Sequence, residues 1–145
     1  MGVDNETIHT LSDLTNRFVS FQLVTASRTS SVLKSDRWCL GYCFGFVDAI
    51  IQRMGMDQYT DGLLLMTVTF DKLLGGSGDL ELGSSLVGLA LNKQTERDFR
   101  DGLQKGGEDF LAYRRNSKLP PGGLHLYLRK KKKTVLEQVM GLFGR

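Results

Sequence analysis

The chain has 145 residues, 41% of them hydrophobic and 24% charged, with a net charge of +3 at pH 7. That length supports one buried core and gives no sign of a second. The longest nearly uncharged run starts at Trp38 and is broken at Asp48, between Arg37 and Arg53, short of the roughly 20 apolar residues that a membrane span needs.

Ile8, Leu11, Leu14, Phe18, Phe21 and Val24 recur at steps of three or four, which predicts an amphipathic helix capped by Asp4 or Asn5. A Ser/Thr-rich connector from Thr25 to Ser31 follows. Ser35-Asp36 then caps a second helix that runs to about Met54 and is closed by Gly55. Within it Gly41, Gly45 and Ala49 fall every fourth residue and form a shallow groove where another helix can come close. Thr60-Asp61 caps a third helix with Leu63, Met66, Phe70, Leu73 and Leu74 on one face; helix is preferred there over the strand-like alternation of residues 66–70.

Gly75-Gly76-Ser77-Gly78 is a break, after which Asp79 caps a shorter helix built on Leu82, Leu86 and Leu89 and weakened by Gly83 and Gly88. Thr95 opens a fifth helix with Phe99, Leu103, Phe110 and Tyr113 on one side; Gly102, Gly106 and Gly107 are expected to soften it. Pro120-Pro121-Gly122-Gly123 is the strongest boundary signal, dividing a helical domain, residues 1–119, from a hinge and basic tail, residues 120–145. In that tail Leu124–Leu128 reads as a short strand and Val135–Phe143 as an amphipathic helix.

The charge is unevenly placed. Residues 129–145 hold six Lys/Arg against Glu137 alone, whereas residues 1–128 hold 13 Lys/Arg against 15 Asp/Glu. Arg129, Lys130, Lys131, Lys132 and Lys133 form one cationic block followed by an apolar face that includes Val139 and Phe143, the pairing of signals that favours docking at an anionic surface. These seven residues are candidate contacts with a membrane surface, a nucleic acid or an acidic protein face.

Catalytic and metal-binding constellations do not assemble. Asp57, Asp61 and Gly62 sit like positions of a calcium loop, but Tyr59 and Val68 replace two of its oxygen ligands. The glycine loop at 75–78 lacks the Lys-Ser/Thr of a phosphate loop. His9 and His125 join no spaced ligand set with Cys39 and Cys43. The two cysteines lie one helical turn apart, where a bridge crosslinks nothing, and read as buried reduced thiols in a reducing compartment. Asp48 lies three residues after Gly45, near the small-residue face; it bonds another core element or meets a partner. No catalytic residue, cofactor or metal ligand is assigned, and no enzyme activity is expected.

Cys39-Leu40-Gly41-Tyr42, Gly45 and Asp48-Ala49-Ile50 resemble the helix motif of the type VI secretion amidase immunity proteins. The order continues with Tyr59-Thr60-Asp61-Gly62-Leu63, the segment from Val68 to Leu74, Asp79 to Ser85, and Leu86-Val87-Gly88-Leu89-Ala90-Leu91, so the likeness covers residues 8–91. The resemblance implies a small, helical, non-enzymatic bacterial protein that binds and blocks an amidase toxin in the periplasm. The chain departs from it in having no further cysteines, in continuing through residues 92–145, and in an N-terminus with no basic or apolar leader pattern.

The sequence thus predicts a mainly α-helical single-domain bundle of about five helices that acts as a protein-binding module, an inhibitor, immunity or adaptor protein. Gly41, Gly45 and Ala49 pack helices, and Asp48 joins the basic tail as a candidate partner contact. The alternative is a peripheral membrane or nucleic-acid-binding protein acting through its tail. The partner is expected to be another protein, with a homo-oligomer left open, and the location cytoplasmic or membrane-peripheral unless a leader lies outside the sequence.

Overall fold

The computed structural model describes residues 2–143; the Phe143 side chain lies outside the described residues. Helices follow in the order α1 (Asn5–Thr25), α2 (Val32–Ser35), α3 (Arg37–Arg53), α4 (Asp61–Leu73), α5 (Glu81–Asn92), α6 (Arg97–Arg115) and α7 (Gly123–Phe143). Among the described residues there is no strand. The mainly helical class is as expected, but among the described residues the helices number seven rather than about five: α2 forms as one short turn between the Ser/Thr-rich connector and Asp36, and the tail is helical from Gly123 as α7. The short strand expected at Leu124–Leu128 is instead the start of α7. Leu124, Leu126 and Leu128 alternate as a strand would, yet only Leu124 and Leu128, one helical turn apart, are buried, while Leu126 is 66% exposed.

Helix α1 begins where Asp4 accepts a hydrogen bond from the Thr7 amide at 2.8 Å. Its buried stripe is not the expected one. Ser12, Thr15, Val19, Gln22 and Leu23 face inward with Ile8, whereas Phe21 and Val24 are exposed. Ser12 and Thr15 hide their polarity by donating to the His9 and Leu11 carbonyls of their own helix at 2.9 and 3.2 Å, so small side chains sit where the apolar count places none. In α4 Leu65 is buried, and Leu63, expected on the core face, is 44% exposed.

Two parallel helix pairs organise the body. Val3 donates its amide to Asp61 at 2.8 Å, and Lys72 donates to Ser12 at 2.7 Å and Asp13 at 2.8 Å, so contacts advance along α1 and α4 together. In the second pair Gly41 meets Phe99 and Gly45 meets Leu103, so α3 and α6 also run side by side in the same direction. The expected small-residue face is therefore used, and its mate is α6. The match is reciprocal: a Cβ at Gly41 or Gly45 would strike the Phe99 or Leu103 carbonyl, and one at Gly102 or Gly106 would strike the Trp38 or Tyr42 carbonyl. Ala49 completes the stripe opposite Gly107, where an added Cβ would sit 4.0 Å from its own. The α6 glycines thus form a contact surface that lets two backbones touch; the softening expected of them is outweighed by what their absent side chains admit.

Around this contact Tyr42, Phe46, Phe70 and Phe99 are fully buried. Phe46 meets Phe110 edge-on with ring centroids 5.5 Å apart, a favoured aromatic geometry. Gly45→Ala and Gly106→Ala are each expected to destabilise by about 1–3 kcal/mol through overpacking, overriding alanine's helix-propensity gain of roughly 1 kcal/mol. Gly88, in α5, faces open space, so Gly88→Ala is expected to stabilise by about 0.5–1 kcal/mol. Urea unfolding midpoints that moved in the same direction for all three variants would show that close backbone approach is not what these glycines provide.

Candidate functional site

A groove of about 660 Å³ opens where α3, α4, α5 and the middle of α6 meet. Phe44, Met66 and Val87 give it an apolar floor, and Tyr59, Leu63 and Leu91 stand on its rim. Tyr59 is 79% exposed, held above the opening by the loop that closes α3, where Asp57 accepts the Tyr59 amide at 2.8 Å. Asp48 is the one carboxyl side chain in the lining. It is half-buried and accepts a hydrogen bond from Gln52, one turn along its own helix, at 2.7 Å. Asp48 thus lies beside the glycine stripe, at the edge of α3 that borders this groove, and its bond is within α3 and not to another core element.

The second feature is the anchoring of α7. Asp109 of α6 accepts the Gly123 amide at 2.8 Å and the Tyr42 hydroxyl at 2.6 Å, with Lys105 3.2 Å from its other oxygen. Gln22 of α1, 2% exposed, donates to the Tyr42 hydroxyl at 3.2 Å and accepts the His125 amide at 3.0 Å. The first turn of α7 is therefore capped by side chains from α6 and α1, a negative charge lying at the positive end of the helix. One turn further, Tyr127 stacks on Trp38 with ring centroids 4.1 Å apart, and Trp38 stacks on Tyr42 at 5.6 Å.

Asp36 completes the latch. It caps α3 by accepting the Cys39 amide at 3.1 Å, and it also accepts the Tyr127 hydroxyl at 3.0 Å and the Lys131 ammonium at 2.6 Å. Burial works to raise the Asp36 pKa, but the bonds from Lys131, Cys39 and Tyr127 together outweigh it and hold the carboxyl below its ordinary value. Burial and the neighbouring Asp36 push the Tyr127 hydroxyl upward. Of the five cations in the tail block, Lys131 is thus committed to the body.

The other four, Arg129, Lys130, Lys132 and Lys133, are exposed. With Leu126, Leu136 and the end of α1 at Thr25–Ser27 they line a cleft of about 630 Å³. Beyond it the helix carries Val135, Leu136, Val139, Met140 and Leu142, exposed by 46–80%. The structure therefore does not gather the sequence-nominated contacts into one site: Asp48 belongs to the groove, and the free cations with Val139 to α7. The groove rim at Tyr59 and Leu63 was missed because Leu63 reads as a core position; the remote caps Gln22 and Asp109 carry no local sequence signal.

Cys39 and Cys43 are unbridged and buried, and burial pushes both thiols well upward, toward the inert neutral form. His125 bonds Thr25 at 2.8 Å and His9 lies 3.2 Å from Lys72. Among the described residues no group of three or more His, Cys, Asp or Glu side chains is placed to hold a metal ion, and no helix is long and apolar enough to cross a membrane. No protein-family model, curated protein or solved structure matches the chain.

The latch makes a pH prediction. A carboxyl whose folded pKa is depressed adds stability above its unfolded pKa, near 3.8 for Asp, and loses it as pH falls through the folded value. Asp36→Asn is therefore expected to cost about 1–3 kcal/mol at pH 7, with the gap to the parent chain shrinking as pH falls below about 4. Urea unfolding across pH 2.5–7 checks this, and a gap independent of pH would remove the charged carboxylate from the account.

Proposed function

We propose that this protein is a non-catalytic helical binding module, an inhibitor, immunity or adaptor protein, that takes an apolar segment of another protein into the groove between α3, α4, α5 and α6. The observation that carries the reading is Asp48, a half-buried carboxylate in the wall of an otherwise apolar and amide-lined groove. Surface of this kind seats aliphatic or aromatic side chains on its floor and selects, by charge, a segment with a Lys or Arg among them. Exposed Tyr59 and Leu63 supply the rim contacts.

The resemblance to amidase immunity proteins supports the same reading. Asp48 falls in its first motif, Tyr59, Gly62 and Leu63 in its second, and Leu91 at its end; these positions, matched as helix packing, also line the groove, with Gln94 and Leu103 added from beyond the likeness. The buried carboxylates are, by contrast, spent on structure: Asp36 and Asp109 cap helices, and Asp71 accepts the Gly83 amide near the start of α5 at 3.1 Å.

Panning a displayed library of short random peptides against the full chain tests the reading. Enriched peptides are expected to carry a Lys or Arg flanked by Leu, Ile, Phe or Trp. Asp48→Lys is expected to weaken them at least tenfold, about 1.4 kcal/mol, and Leu63→Asp to abolish measurable binding, with circular dichroism unchanged in both variants. Peptides that bind both variants as tightly as the parent chain would place recognition elsewhere.

A further inference from the structure

We propose that the outer half of α7 docks on the surface of an anionic lipid bilayer, with the cleft beside it receiving a phosphate headgroup. This inference is independent of the groove. Its first support is continuity of the helix face. Leu124 and Leu128 are buried in the body, and the same stripe runs on through Val135, Val139 and Leu142, which project beyond it and are 53%, 46% and 80% exposed. The anchoring of the first turns by Asp109, Gln22, Tyr127 and Lys131 holds this uncovered half out as an extension of a fixed helix.

The shape and charge of the face select the occupant. Leu136 and Met140 form a second exposed stripe beside the first, so the apolar arc is wider than the narrow seam used in a two-helix coil. Immediately before it stand the four exposed cations, and Glu137 is the single acid that follows them in the helix. Charge beside a broad apolar arc matches the headgroup and acyl layers of an anionic bilayer. A nucleic acid would use the cations and leave the leucines and valines in water. A second copy of α7 laid alongside in parallel would bring two cationic blocks together. In the cleft, Arg129, Lys130, Lys132 and Lys133 surround apolar Leu126 and Leu136, cationic donors suited to phosphate oxygens beside a surface for the glycerol and upper acyl carbons.

Flotation with vesicles of phosphatidylcholine containing one-third phosphatidylserine, against pure phosphatidylcholine, tests the proposal with the full chain. At 0.1 M salt binding is expected to be at least tenfold tighter to the anionic vesicles. It should fall at least tenfold in an Arg129→Ala/Lys130→Ala/Lys132→Ala/Lys133→Ala variant and in a Val139→Asp/Leu142→Asp variant, and remain unchanged in Asp48→Lys, which separates it from the groove. All substituted α7 side chains are exposed, so urea midpoints within experimental error of the parent chain are expected and confirm that the loss is at the surface. Absence of binding to anionic vesicles overturns the proposal. So does oligonucleotide binding that depends on the cations and ignores the Asp substitutions, or a concentration-dependent dimer that Val139→Asp/Leu142→Asp dissolves while vesicle binding is absent.

Discussion

The body of this protein depends on the backbone contact between α3 and α6. Four glycines, two on each helix, meet the carbonyls of the facing chain, and no side chain larger than hydrogen fits at any of them. Close approach brings the flanking residues with it: Tyr42 and Phe46 of α3 and Phe99 and Phe110 of α6 bury their rings around the seam. Because the two helices run parallel, the chain must return to the same end between them. The α4–α5 segment makes that return, and α4 uses the excursion to pair with α1. The groove proposed for partner binding lies between this crossover and the pair it connects, so its floor is fixed by the same contact.

Polar groups perform the second task, which is to fasten separate helices at their ends. Among the described residues no buried side-chain nitrogen or oxygen lacks a hydrogen-bond partner. Aspartate recurs in this role: Asp36, Asp71 and Asp109 each accept a main-chain amide at or near a helix start, where the helix dipole favours a negative charge. Asp71 and Asp109 do so from another helix, so the cap also serves as a tertiary tie. Asp36 caps its own helix and reaches across to Tyr127 and Lys131. The result is that α7, reached through Pro120-Pro121-Gly122, is joined firmly to α1, α3 and α6 at its beginning while its far half is uncovered.

The sequence was legible where structure is local. The helical class, the caps at Asp4 and Asp36 and the packing role of Gly41, Gly45 and Ala49 all follow from spacing within a few residues. The partner of the glycine stripe was not legible, because Gly102 and Gly106 taken alone mean helix weakness; only the pairing in space turns them into a surface. The inward face of α1 was misplaced for a related reason. Ser12 and Thr15 count as polar in a periodicity, yet each satisfies its hydroxyl on its own backbone and is then small enough to be covered. Leu124–Leu128 alternates like a strand, and what makes it helical is a set of caps supplied from residues as far away as Gln22. Of the candidate contacts, the basic block was visible as composition, but the removal of Lys131 from it required Asp36 to be found beneath.

The two outward surfaces share one chemical principle, charge set beside apolar area, with opposite signs. The groove offers a single carboxylate, Asp48, and the outer half of α7 follows four exposed cations. Opposite signs invite the thought that α7 of one copy fills the groove of another, a head-to-tail contact that would propagate into open chains unless its rotation closed a ring. The proportions argue against it. One carboxylate neutralises one of four closely spaced cations, and the remaining three would lose water against an apolar floor, a cost that pairing must repay and here does not. The two proposals therefore call for different partners, a segment with a lone cation for the groove and an extended anionic plane for the helix.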